Sequence, residues 1–213
     1  MSDPCCNETP VFDGVSAAYR RVLWVVISIN ATMFAVETGA GFLAQSQALQ
    51  ADALDFLGDT LTYGVSLMVI GRTVRWRASA ALFKALSLAA FGLWVLGATI
   101  YRSLVLGMPE PMTMGAIAVL ALAANVFSAV LLYRFRDGDA NVRSVWLCSR
   151  NDAIGNVAVM GAAGAVAVLH SPWPDLIVAA GMAGLFLQGA WAIMKQAREE
   201  LAQASDVPQA AGD

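Results

Sequence analysis

The sequence predicts an all-α polytopic membrane protein: six transmembrane helices with both termini cytoplasmic. Three observations predict it. The 213 residues are 58% hydrophobic and only 14% charged, whereas a soluble domain carries about 25% charged residues. Six apolar runs, each near the roughly 20 residues a bilayer span requires, take up almost the whole length. The basic residues of the connections are also one-sided. With six spans, Arg20, Arg21, Arg72, Arg75, Arg77, Arg134, Arg136, Arg143, Lys195 and Arg198 lie with the termini, and only Arg102 falls in a loop opposite. The positive-inside rule makes the first side cytoplasmic, which predicts a multi-pass protein of the inner (cytoplasmic) membrane.

The chain divides into a cytoplasmic tail (1–19), a six-helix membrane domain (20–198) and a short cytoplasmic tail (199–213). The first 18 residues are polar and acidic and lack the basic and apolar regions of a secretory signal. A modest formal charge of −3 points away from a nucleic-acid partner, which would need a basic face. Run one, Val22–Ala44, holds Asn30 and Glu37 on one face. Run two spans about Gln50–Ile70, and a basic loop with Arg72, Arg75 and Arg77 follows it. Run three, about Ala80–Ile100, has Lys84 near its start. Run four is Met112–Tyr133, and a polar connection, Arg134–Arg143, leads to run five, Ser144–Leu169. A turn at His170–Pro174 precedes run six, Asp175–Met194, beyond which the charged tail from Lys195 is expected to fray at its end. The tryptophans near span ends read as interfacial anchors.

Run two carries the chemistry. Asp52, Asp55 and Asp59 stand at i, i+3 and i+7, on one helix face. Carboxylates inside a span are costly and face a bundle interior, a cavity or a cation. Run five echoes run two: LDFLGDTL (Leu54–Leu61) aligns with LCSRNDAI (Leu147–Ile154). Asp55 and Asp59 thereby match Cys148 and Asp152, both pairs four residues apart and both near mid-membrane by helical rise. Asp55, Asp59, Asp152 and Cys148 make a four-donor set suited to Zn²⁺, with the thiolate favouring Cd²⁺. Cys148 could equally be an apolar filler, with Asn151 as the neutral fourth ligand. Three acids sharing one site hold protons when empty and release them on metal binding, a linkage that proton antiport requires. The plainer reading is that the acids only hydrogen-bond neighbouring helices.

Asn30, Glu37, Asp52 and Asn156 are expected as secondary or pathway groups. Glu37 would relay protons or pair with Arg150; Lys84 and Arg150 would reach towards the cytoplasmic surface. In the N-terminal tail Cys5, Cys6 and Glu8 form a candidate metal-capture motif, on a side where thiols stay reduced. His170, the single histidine, reads as a turn residue. No catalytic residue and no resident cofactor is expected, the metal being cargo. Export of a divalent transition metal in exchange for protons, by alternating access, is the leading expectation. The alternatives are a membrane metal sensor and an intramembrane aspartyl protease. For the latter, Leu57-Gly58-Asp59 is similar to a GxGD element, with Phe56 in place of its first glycine.

The motifs SQALQADALDFLGDTL in run two and NDAIGNVAV in run five, with the Asn and Glu of run one, resemble the cation diffusion facilitator family of metal/proton antiporters. The resemblance covers nearly all of residues 20–198. It implies six spans with cytoplasmic termini and a transport site on Asp55, Asp59, Cys148 and Asp152. Cys148 stands where the family usually has histidine. The resemblance further implies a homodimer that moves Zn²⁺ or a related ion out of the cytoplasm against a proton flow. The cytoplasmic C-terminal domain of many members is not expected here, which would leave dimerisation to the spans.

Overall fold

A computed structural model of the protein describes residues 16–69, 74–105, 107–136 and 140–206. These form six helices: α1 (Ala17–Leu43), α2 (Gln47–Val69), α3 (Val74–Leu104), α4 (Pro111–Tyr133), α5 (Ala140–Leu169) and α6 (Trp173–Asp206). All but α2 are long and apolar enough to cross a membrane. At 23 residues α2 has the length; its acids remove it from that class. The all-α polytopic prediction holds, with three boundaries corrected. Val74–Arg77 are the first turn of α3 rather than loop, α5 begins at Ala140, and α6 continues as helix through Asp206. Beyond Lys195 the α6 sequence KQAREELAQASD is made mainly of strong helix formers and contains no Gly or Pro, so nothing in it stops the helix at the membrane edge. The rest of both predicted tails lies outside the described residues.

Short connections force neighbouring helices antiparallel. After α1, Gln45 takes a left-handed conformation (φ 52°), and the Ser46 N–H reaches back to the Gly41 carbonyl at 3.0 Å, a helix-ending closure normally given to glycine. Gly41 itself is required for the hairpin: a Cβ there would stand 3.2 Å from the Gln50 backbone nitrogen. The two ends of the bundle are tied separately. At one end Tyr19 of α1 meets Phe135 after α4 edge-to-face, and the Tyr63 hydroxyl of α2 donates to the Val145 carbonyl of α5. At the other, the Glu110 N–H donates to the Ala44 carbonyl at 2.9 Å.

Helices α1, α2, α5 and α4 touch in a closed ring, and α3 and α6 pack as a pair against it through α2 and α5. Among the described residues α2 is in contact with all five other helices, whereas α3 and α5 do not touch each other. The α3–α6 contact is the most extensive. It depends on Gly92, where a Cβ would fall 2.9 Å from Leu187 and 3.2 Å from the Ala183 carbonyl; small residues allow such close approach where lipid offers no hydrophobic drive between helices. Accordingly large apolar side chains such as Trp94, Val130, Ile177 and Trp191 point outwards. Inside, an alanine-rich cluster (Ala48, Ala51, Ala118, Ala163, Ala179) fills the Ser46 end, and a bulkier one (Tyr19, Leu23, Tyr63, Leu132) fills the Tyr19 end. The polar residues of α2 lie between them.

Helix α4 starts on an acidic cap. Glu110 Oε1 accepts from the Met112 N–H at 3.0 Å and Oε2 from the Thr113 N–H at 2.6 Å. Hydrogen bonds from Thr113, side chain first and then backbone, hold the exposed Glu110 carboxyl below its usual range. A carboxylate so shifted stabilises the fold above the unfolded-state pKa, and the contribution fades as pH falls through the folded one. Glu110→Gln is therefore expected to flatten the acid limb of a thermal-stability profile below about pH 4.5; an unchanged acid limb would contradict this cap.

Candidate metal site

Helix α2 positions the acids because its turn-by-turn repeat aligns them and because it lies where every other helix meets. Asp59 sits midway along α2 and Asp152 roughly three turns into α5. Antiparallel packing brings them together: Asp152 lies beside Asp55 and Asp59, and Cys148 beside the same two aspartates. All four side chains are half-buried within the bundle. Among the described residues no group of three or more His, Cys, Asp and Glu side chains is drawn together tightly enough to hold a metal ion. The donors face one another without closing.

Asn30 of α1 reaches this group directly, its Nδ2 donating to Asp59 Oδ2 at 3.4 Å. Asn151 does not. It is exposed, and its Oδ1 accepts from Arg150 Nη2 at 3.2 Å, so of the two candidates for a fourth donor only Cys148 lies beside the aspartates. Arg150 is likewise exposed and lies over the Trp146 ring, which agrees with a side chain reaching for the surface and removes it as a partner for Glu37. Glu37, Asp52 and Asn156 are fully buried, one helix turn from the half-buried group on the Ser46 side, with Glu37 facing Asp52. Cys5, Cys6 and Glu8 lie outside the described residues.

Lys84 lies where the sequence did not place it, Tyr63 joins the group unannounced, and Asp175 anchors the far end of α2. Lys84 of α3, expected to reach for the membrane surface, instead brings its positive charge beside Asp59 and Cys148. It does so although α3 and α5 are not in contact with each other among the described residues. Tyr63 lies one turn from Asp59 on α2, with its hydroxyl in reach of Ser149 Oγ at 3.5 Å as well as the Val145 carbonyl. The signal for Tyr63 was present, as it extends the i, i+4 stripe of Asp55 and Asp59. Asp175 has no such pattern. It caps α2 from α6, with Oδ1 accepting from Ser46 Oγ at 2.6 Å and the Ala48 N–H at 3.0 Å, and Oδ2 from the Gln47 N–H at 2.8 Å.

Several known proteins are similar to this chain over most of its length. The metal cation efflux system protein CzcD of Cupriavidus metallidurans is 26% identical over 188 residues, covering 83% of this chain and 60% of that protein. The zinc transporter ZitB of Escherichia coli is 30% identical over 206 residues, covering 88% of this chain and 64% of that protein. ZitB of Pectobacterium atrosepticum is 28% identical, with 85% and 61% covered. The chain thus spans somewhat under two thirds of the length of these relatives. Residues 23–202 match the family model described as the cation efflux transmembrane domain, and on that match the six-helix chain belongs to the cation diffusion facilitator family.

Proposed function

We propose that this protein exports a divalent transition-metal cation, Zn²⁺ or Cd²⁺, from the cytoplasm in exchange for protons. One observation carries the reading: α2 and α5 bring three carboxylates and a thiol towards one another in mid-bundle. Two helices each giving two donors can close on an ion by a small approach, because tetrahedral Zn²⁺ needs ligand distances of only about 2.0–2.3 Å. Asn30 orients Asp59, as a hydrogen-bonded partner orients a ligand in many metal sites. The Lys84 ammonium offers the acids a tethered positive charge when no ion is present. Protons held by the carboxylates leave when the metal arrives, and alternate opening to the two sides would couple the two fluxes. The distribution of Lys and Arg supports cytoplasmic termini, as an exporter in an inner membrane would have. A homodimer built on the spans fits the family.

The test is Zn²⁺ or Cd²⁺ uptake into proteoliposomes under an imposed pH gradient. Uptake that collapses with the gradient supports exchange. Metal binding with no flux would leave a sensor, and cleavage of a membrane peptide without flux would leave a protease. The thiol has its own test. Cys148→Ser is expected to weaken Cd²⁺ binding at least tenfold more than Zn²⁺ binding, since sulfur is the softer donor; equal losses by titration calorimetry would remove Cys148 from the site.

A further inference from the structure

Among the described residues, five buried side-chain atoms without a hydrogen-bond partner gather on three residues. They are both carboxylate oxygens of Glu37, Oδ2 of Asp52, and both amide atoms of Asn156. Each residue is at most 1% exposed. A buried polar group left unpaired costs about 1–3 kcal/mol, and native folds retain few. Five on three residues imply a missing partner. Glu37 and Asp52 face each other closely enough to share a proton, yet neither Glu37 oxygen makes a hydrogen bond of ordinary length, and the Asn156 amide is left with no partner at all.

Helix register explains the grouping. Along α1 and α2, Asn30 stands opposite Asp59, and the same antiparallel count sets Glu37 opposite Asp52. Along α2 and α5, Asp152 lies by Asp55 and Ser149 by Tyr63, which brings Asn156 level with Asp52. The group therefore sits one turn, about 4.5 Å of helix rise, from Asp55 towards the Ser46 end.

We infer that Glu37, Asp52 and Asn156 form a second cation subsite, distinct from the Asp55–Asp59–Cys148–Asp152 group. It takes a divalent ion in transit between that group and the Ser46 end of the bundle. The inference rests on the reading of the inner group as a metal site. Its donors differ in kind. The inner group includes a thiol, whereas the second offers two carboxylates and an amide oxygen, a hard set that suits oxygen-preferring ions. An ion passed from one to the other exchanges a soft donor for hard ones, and Zn²⁺ or Cd²⁺ is then held less tightly as it nears release. Burial adds a constraint. Glu37, Asp52 and Asn156 are each at most 1% exposed, so the second subsite has no opening of its own to solvent in this state.

The experiment is equilibrium dialysis of the full chain, purified in detergent, against Co²⁺ at fixed pH. Wild type is expected to hold twice as much Co²⁺ at saturation as Glu37→Gln/Asp52→Asn, which keeps only the inner ion. Asp59→Asn/Asp152→Asn is expected to keep only the outer, weaker ion, and the fourfold variant none. If Glu37→Gln/Asp52→Asn binds as much as wild type, or if Asp59→Asn/Asp152→Asn binds nothing, the second subsite is overturned while the inner one stands. Wild type binding no Co²⁺ would overturn both. Should the double amide fail to elute as wild type does, Glu37→Gln alone in the Asp59→Asn/Asp152→Asn background decides: residual affinity must fall at least tenfold, and an unchanged affinity overturns the proposal.

Discussion

An Asp59→Asn protein is expected to insert and fold like the wild type and to move no Zn²⁺ across a proteoliposome membrane. The amide has the size of the carboxylate and keeps an oxygen that can accept from Asn30, so the contact at 3.4 Å survives. What disappears is one negative charge from a donor set in a low-dielectric interior. Losing a group that merely orients a ligand costs about 10–100-fold in metal affinity, and losing a ligand should exceed that range. Asn30→Leu supplies the comparison, since it removes only the orienting contact and should fall within about 10–100-fold. Proton competition gives an independent readout. Metal affinity rises with pH because binding displaces protons, and removing one carboxylate should lower the slope of log affinity against pH. Full flux in Asp59→Asn, or a larger loss in Asn30→Leu than in Asp59→Asn, would contradict this placement.

The positions of the candidate donors were legible because they obey helix periodicity. Asp55, Asp59, Cys148 and Asp152 repeat at i, i+4 within apolar runs, and the cost of burying charge in lipid leaves few reasons for them to be there. Asn30 was legible as a polar group in a span, although its specific partner was not. Lys84 was misread, because a lone lysine near the start of an apolar run looks like one reaching for the interface. Its actual neighbours depend on how α3 packs against α2, which no periodicity within α3 encodes. Asn151 shows the converse: it is adjacent to Asp152 in sequence, but neighbours on a helix point in different directions. The helix ends failed for a related reason. Hydropathy detects where lipid begins and ends, whereas α3, α5 and α6 continue beyond it on backbone hydrogen bonds and favourable propensity.

Asp175→Ala should produce the largest loss of stability of any single change at the Ser46 end. Asp175 lies in the first turn of α6, yet its carboxylate serves α2, accepting from the Ser46 hydroxyl and the Gln47 and Ala48 N–H groups. Ser46 in turn accepts from the Leu49 N–H at 3.0 Å, so a single carboxylate fixes the whole first turn of α2 against α6. Truncation leaves three buried donors without partners at about 1–3 kcal/mol each, a loss of about 3 kcal/mol or more. For a chain of this size that lowers the melting temperature by about 6–12 °C. Asp175→Asn retains one acceptor oxygen and should lose about half as much. Hydrogen exchange would localise the effect, with Gln47 and Ala48 losing protection in Asp175→Ala while the α4 start, capped by Glu110, does not change. An unaltered melting temperature would mean that the first turn of α2 is held by packing alone. If α2 is instead clamped to α6 here, motion that brings the α2 and α5 donors together must pivot about this end, and loosening the clamp should weaken metal binding several helix turns away.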